Sequence, residues 1–162
     1  MKPIIAITIG DPAGIGPEVT AKALAQEEVW TCCRPLVVGD AGIMRRAFDL
    51  VAPDRAPRAI QDSAEAHYDP ATPDVLDLAN VDPAAFVPGA VSAAMGTAAA
   101  AYIERAVALA QAGHVEAIAT APINKAALKA AHIPYTGHTE MIAELVGSPR
   151  VTTMLATEGL RV

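Results

Sequence analysis

The chain has 162 residues, of which 52% are apolar and only 4% aromatic, with a formal charge of −6. That is ample material for a core packed by close helix–sheet contacts. The acidity argues against nucleic acid, whose binding faces are basic, while leaving room for an anionic metabolite held by a few local cations. No apolar run has the length of a membrane helix. Met1 to Ile9 is too brief for a secretory signal and lacks a small-residue cleavage site, so the expected location is cytoplasmic, with no membrane partner. Cys32 and Cys33 are adjacent. Neighbouring Cα atoms lie ~3.8 Å apart, below the usual disulfide span, so two reduced thiols are expected.

Pro3 to Ile9 reads as a buried parallel strand, nearly continuous and β-branched. A turn rich in Gly and Pro follows, and Pro17 suits the first position of a helix running to about Gln26. Leu36 to Gly39 is a short strand, and Asp40-Ala41-Gly42 opens a helix through about Val51. From Ala52 to Pro88 the chain is rich in Pro and Asp with weak periodicity. Val75 to Leu78 is the one strand expected there, and the remainder is expected to be loop.

Ser92 caps the next helix, in which Met95, Ala99, Tyr102, Ile103, Ala106 and Ala110 recur at helical spacing. Glu104 and Gln111 fall on its other face, and Gly113 ends it in the C′ position. Val115 to Ala119 is a strand, Asn124 to Ala131 and His138 to Val146 are short helices, and Val151 to Ala156 is a last strand. There are no internal repeats. Strands alternating with helices predict an α/β fold with a parallel or mixed sheet covered on both faces. The closing residues read as an element just beginning, and the chain is expected to continue in a longer protein.

Three segments carry candidate chemistry. Gly10 to Glu18 places three glycines between a strand and a helix, which suits either backbone N–H groups facing an anion or a tight turn fixed by Pro12 and Pro17. Its spacing is neither the dinucleotide G-x-G-x-x-G nor a P-loop, and Asp11 either meets a ligand or caps the turn. In Thr120-Ala121-Pro122-Ile123-Asn124-Lys125, Asn124 caps a helix and Lys125 falls in its first turn. The helix dipole disfavours a cation there, a penalty that makes sense opposite an anion. In Gly137-His138-Thr139-Glu140, a ring N–H and a hydroxyl at a helix start can hold phosphate or carboxylate oxygens, and the imidazole there should have a lowered pKa. His67, His114, His132 and His138 show no zinc spacing, no serine sits in a G-x-S-x-G elbow, and Glu140 and Glu144 read as a solvated face.

Four segments in order, Ile7 to Glu18, Thr120 to Lys125, Pro134 to Glu140 and Met154 to Val162, closely resemble the 4-hydroxythreonine-4-phosphate dehydrogenase family. The resemblance runs from end to end of the chain. It implies a three-layer α/β/α fold like that of isocitrate and isopropylmalate dehydrogenases, two lobes with a cleft between them, and homodimers. It implies oxidation of 4-phosphooxy-threonine with NAD or NADP, followed by decarboxylation, on the way to pyridoxal phosphate. A divalent metal (zinc, magnesium or cobalt) is implied as Lewis acid, with the nicotinamide accepting hydride.

By the same resemblance His138 and Thr139 bind the phosphorylated amino-acid substrate, with Lys125 as a neighbour. The family's metal-binding histidines, further substrate residues and most of its dinucleotide surface follow the motif ending in Leu160-Arg161-Val162. Residues 1–162 are therefore expected to be an amino-terminal portion of the two-lobed enzyme, inactive by itself, with no metal ligands and with catalytic and cofactor residues unassigned. Other readings are a dehydrogenase of phosphothreonate or phosphoerythronate, a phosphate acyltransferase-like enzyme, and a non-catalytic module.

Overall fold

The structure, a computed structural model, describes every residue except Met1, Pro83 and Pro149. In chain order it runs β1 (Ile4–Thr8), α1 (Gly16–Leu24), α2 (Glu27–Cys32), β2 (Arg34–Gly39), α3 (Ala41–Val51), β3 (Arg58–Ile60), a 3₁₀ turn (Ser63–Glu65) and β4 (Asp74–Asp77). It continues with α4 (Ala93–Gln111), β5 (Ala117–Thr120), α5 (Lys125–Ala130), α6 (His138–Leu145), β6 (Ala156–Thr157) and β7 (Leu160–Arg161). Five strands form one parallel sheet in the order β3-β4-β2-β1-β5.

The strand order reverses at β1. The chain first builds away from β1 on the side of β2, then returns through α4 to add β5 on the other side. Because parallel crossovers are right-handed, a reversal of direction puts the connecting helices on opposite faces. In keeping with that, α1 packs against α3, while α4 crosses β1, β2 and β5. Residues of β1, β2 and β4, including Ala6, Leu36, Val37, Val38, Val75 and Leu76, form the core with Leu24, Met44, Phe48 and Tyr102. A smaller cluster joins Ile103 and Val107 of α4 to Leu128 of α5 and Met141 of α6.

Local chemistry sets the helix ends as expected in four places. Ser92 accepts from the Met95 amide at 3.3 Å, and Asn124 accepts from Ala126 and Ala127 at 2.9 and 3.2 Å. Asp40 caps α3 through Ile43 at 3.1 Å. Gly113, at φ +75°, closes α4 with a paired reverse turn: its N–H donates to Ala110 and that of His114 donates to Leu109.

The stretch between α3 and α4 holds more structure than its composition predicts. Beyond β4 it contains β3, the 3₁₀ turn and a bridge between Asp69 and Thr72. Its organiser is Asp74, fully buried at the start of β4. One carboxylate oxygen takes the Arg58 guanidinium at 2.6 and 2.8 Å, and the other takes the amides of His67 and Tyr68 at 2.8 and 2.7 Å. No periodicity announces such a segment, because one carboxylate holds it together. The short helix α2 also goes beyond the sequence reading. At the carboxyl end, the strand expected over Val151 to Ala156 is instead a two-residue antiparallel ribbon, β6 with β7. Every described residue from 150 to 162 is exposed, so its apolar residues have no partner face that would draw them into the sheet.

Replacing Asp74 by Asn should cost roughly 2–4 kcal/mol, since it removes a paired, buried charge and leaves donors unsatisfied. The exposed cap Asp62→Asn should cost well under about 1 kcal/mol. Urea unfolding of the two variants checks this; equal midpoints would mean that Asp74 does not organise the segment.

Candidate functional site

The strand order reverses at β1, and the carboxyl ends of β1 and β5 flank that point, the place where open α/β sheets receive ligands. Two loops meet there, residues 9–15 after β1 and 121–124 after β5. They are joined backbone to backbone: the Asp11 amide donates to the Pro122 carbonyl at 3.0 Å, and the Ala121 amide to Thr8 at 3.0 Å. Gly10 sits at φ +70°, and a Cβ on it would strike the Pro122 and Ala121 carbonyl oxygens. Only glycine lets the two loops approach this closely.

The structure decides the role left open for Asp11. Its side chain is buried and accepts from the Ala13 amide at 2.9 Å, while Gly14 N–H closes the turn onto the Asp11 carbonyl at 3.0 Å. Asp11 shapes the turn. Pro17 lies in the first turn of α1, as expected, and no side chain caps that helix. On the outer flank, the Gly89 amide donates to the Ala13 carbonyl at 2.7 Å and draws residues 84–90 over the loop.

Lys125 is the first residue of α5, exposed in the first turn that the dipole argument assigned to it. It lines a shallow depression of about 490 Å³ with Lys129, His132, Ile133, Pro134, Tyr135 and Thr136. His138 opens α6 behind Gly137. Its imidazole is half-buried, and its Nε2 is fully enclosed without a hydrogen-bond partner. Burial lowers the His138 pKa from its ordinary value, and the Ala121 backbone partly offsets this. The direction is that expected for a helix start, but burial is the cause. Thr139 beside it is exposed.

His138 is therefore turned toward the loop after β5, whereas Lys125 belongs to the adjoining depression, whose lining includes neither His138 nor Thr139. What aligns α5 and α6 is α4. Gly96 lies so close to the Ala127 carbonyl that a Cβ there would collide with it, and Ile103, Leu128 and Met141 close the contact.

Beside the glycine-rich loop lies a feature that sequence reading missed, a groove of about 500 Å³ walled by Pro12 to Ile15, Ile43, Leu50, Phe86 and Pro88. Arg46 and Glu18 are its charged members, and the Arg46 guanidinium lies 5.1 Å above the Phe86 ring. The three segments that form it are distant in sequence, and no local motif unites them. Glu140 and Glu144 are exposed, as the sequence suggested. Among the described residues no three His, Cys, Asp or Glu side chains gather as a metal site.

A parallel sheet whose strand order reverses at β1, with a glycine-rich turn at that point and helices packed against it, defines an open-sheet α/β protein. Residues 31–162 match the family described as pyridoxal phosphate biosynthetic protein PdxA, and the chain belongs to that family. It is 48% identical over 160 residues to a D-threonate 4-phosphate dehydrogenase of Cupriavidus necator, covering 99% of this chain and 48% of that protein. It is 43% identical over 161 residues to a 4-hydroxythreonine-4-phosphate dehydrogenase of Desulforapulum autotrophicum, covering 99% of this chain and 47% of that protein.

A crystal structure of a 4-hydroxythreonine-4-phosphate dehydrogenase from Burkholderia phymatum superimposes with a TM-score of 0.94 at 47% identity, over 99% of this chain and 48% of that one. The chain thus spans about half the length of the relatives it matches.

Since the unfolded chain takes up the His138 proton before the folded one does, its stabilising contribution is whole above about pH 6.5 and is lost as pH falls from there through the lower folded value. Urea midpoints at about pH 7.5 and 5.5 should therefore diverge more in the parent than in His138→Gln. An identical pH slope in both proteins would show that the imidazole is not held neutral. Gly10→Ala should lose roughly 2 kcal/mol or more, from strain at positive φ and the collision with Pro122.

Proposed function

We propose that this chain forms part of a dehydrogenase that oxidises a four-carbon acid carrying a 4-phosphate, using NAD or NADP. In this reading 4-hydroxythreonine 4-phosphate is the substrate, on the way to pyridoxal phosphate, and the enzyme works as a homodimer in the cytoplasm. The observation that carries the reading is the enclosed Nε2 of His138, without a hydrogen-bond partner, at the start of α6 and close to the Ala121 backbone, in a chain of this family. A buried polar atom without a partner is costly unless a ligand completes it.

His138 and Thr139 bind the substrate's anionic end in this reading. The imidazole is held neutral by burial while the site is empty. A phosphate arriving with its second pKa near ~6 favours the charged ring, so binding draws a proton onto His138 and converts a neutral hydrogen bond to a charge-assisted one. Thr139 supplies a hydroxyl from the same helical turn. Lys125, on the neighbouring helix start, adds long-range attraction and guides the anion in.

The nicotinamide supplies the hydride acceptor when bound, so the protein's part is orientation. The 500 Å³ apolar groove beside the glycine-rich loop suits the flat rings of such a cofactor, with Ile15 and Phe86 in its walls and the Arg46 guanidinium, over the Phe86 ring, as its cation. The described residues gather no ligand set of three His, Cys, Asp or Glu side chains for a divalent ion.

A second substrate is favoured by the Cupriavidus necator relative, named for D-threonate 4-phosphate. The two acids differ at C2, amine against hydroxyl, while the phosphate end is shared. His138 and Thr139 would serve either.

The test uses the full-length protein with both phosphorylated acids and both nicotinamides. The reading expects oxidation of one acid, and a His138→Ala loss of about 10²-fold in kcat/KM, with binding coupled to proton uptake near neutrality. Calorimetry in buffers of different ionisation enthalpy measures the uptake. Equal turnover of the dephosphorylated acids would sink the phosphate-binding role. Arg46→Ala should weaken reduced-nicotinamide binding about 3–10-fold by fluorescence titration.

A further inference from the structure

Two side chains that the proposed chemistry does not use stand at the far end of the sheet from the carboxyl ends of β1 and β5. Cys32 is the last residue of α2, and Cys33 is the extended residue that follows, at φ −145° and ψ 176°. Adjacent residues in a continuous strand point to opposite faces, and in a continuous helix they diverge around the axis. At this helix-to-strand junction they do neither. Both Sγ atoms lie 3.3 Å from one acceptor, the Val29 carbonyl oxygen, which also receives the Cys33 amide at 3.0 Å. The two sulfurs are thus on the same side of the chain, within two hydrogen-bond lengths of each other.

Cys32 is exposed and Cys33 partly so. These are the chain's only two cysteines. Thiols are weak donors, and three donors crowd one carbonyl, so little holds the sulfurs against a stronger partner. A direct disulfide is disfavoured, because neighbouring Cα atoms at ~3.8 Å fall short of the usual span. A soft atom bonded to both sulfurs escapes that limit, since it lengthens the bridge between them.

We propose that Cys32 and Cys33 form a two-sulfur site for a soft thiophilic centre, such as trivalent arsenic. With an arylarsenic(III) oxide the step balances as R–As=O + 2 R′SH → R–As(SR′)₂ + H₂O. Two S–As bonds form, the As=O bond breaks, and both thiol protons leave with the oxygen as water. No oxidation state changes. Soft ligands of this kind select soft centres over hard ones such as magnesium. Burial and the neighbouring Cys32 thiol push the Cys33 pKa up, with Lys2 as the smaller opposing influence. Binding would staple the end of α2 to the start of β2, where Arg34 pairs with Ile4.

Phenylarsine oxide is the probe, with intact mass and thiol titration as readouts on the folded 162-residue chain and on the full-length protein. The site predicts one arsenic per chain, loss of both thiols together, and release by a dithiol but not by a monothiol. Cys32→Ser and Cys33→Ser should each weaken capture about tenfold or more, since the second bond is intramolecular, while circular dichroism stays unchanged. A synthetic peptide of residues 29–34 should bind more weakly than the folded protein. Independent titration of the two thiols, single variants that retain capture, or a peptide that binds as well as the protein would each overturn the proposal. None of these outcomes bears on the dehydrogenase reading, which concerns the opposite end of the sheet.

Discussion

The contact between the loop after β1 and the loop after β5 is the constraint on which the site depends. The two loops touch through main chain, with Asp11 N–H on the Pro122 carbonyl and Gly10 leaving no room for a side chain. A reversal in strand order would by itself leave two loops splayed at the sheet's edge. Backbone-to-backbone closure instead fixes how the two loops meet and holds the Ala121 backbone close to His138. Hydrophobic burial drives the sheet together, but this contact decides its shape at the functional end.

Helix α4 holds the other wall. It packs across the sheet on one side and carries α5 and α6 on the other through Gly96, Ile103 and Val107. Both substrate-binding candidates therefore ride on short helices whose positions are set by a 19-residue helix. Helices of six and eight residues are marginal alone, so their alignment comes from tertiary contact. Rigid placement of the helix starts matters because the proposed ligand interaction is short-ranged and needs the His138 ring oriented before the anion arrives.

The relation to longer relatives gives the outer strand a meaning. β5 ends the strand order, and no strand pairs with its outer edge among the described residues. The chain spans about half the length of the relatives it matches, one of which superimposes closely on it. In the proposed reading the carboxyl ends of β1 and β5 form one wall of the site. The proposed division of labour follows: these residues grip the anionic end and shape part of the cofactor groove, while other polypeptide contributes the remainder.

Much of the architecture was legible in local pattern. The β-branched run of β1, the Ser92 and Asn124 caps, the Gly113 terminus and the apolar stripe of α4 all sit where periodicity and capping put them, because these signals reside in a few consecutive residues. The motif resemblance also led to the family. What the sequence could not show depends on atoms distant along the chain. The fold around Asp74 needs Arg58, His67 and Tyr68 to converge. The groove at Arg46 needs α3 and residues 84–90 to meet the glycine-rich loop.

Val151 to Ala156 has the composition of a strand but no partner face, and so forms only the edge of a small ribbon. His138 was marked by its motif, while its enclosed nitrogen and burial-lowered pKa came from tertiary packing that brings it to the Ala121 backbone. Local sequence fixes backbone preference within a turn or two of chain. Burial, and the pKa and ligand chemistry it brings, exist only once distant segments have packed together.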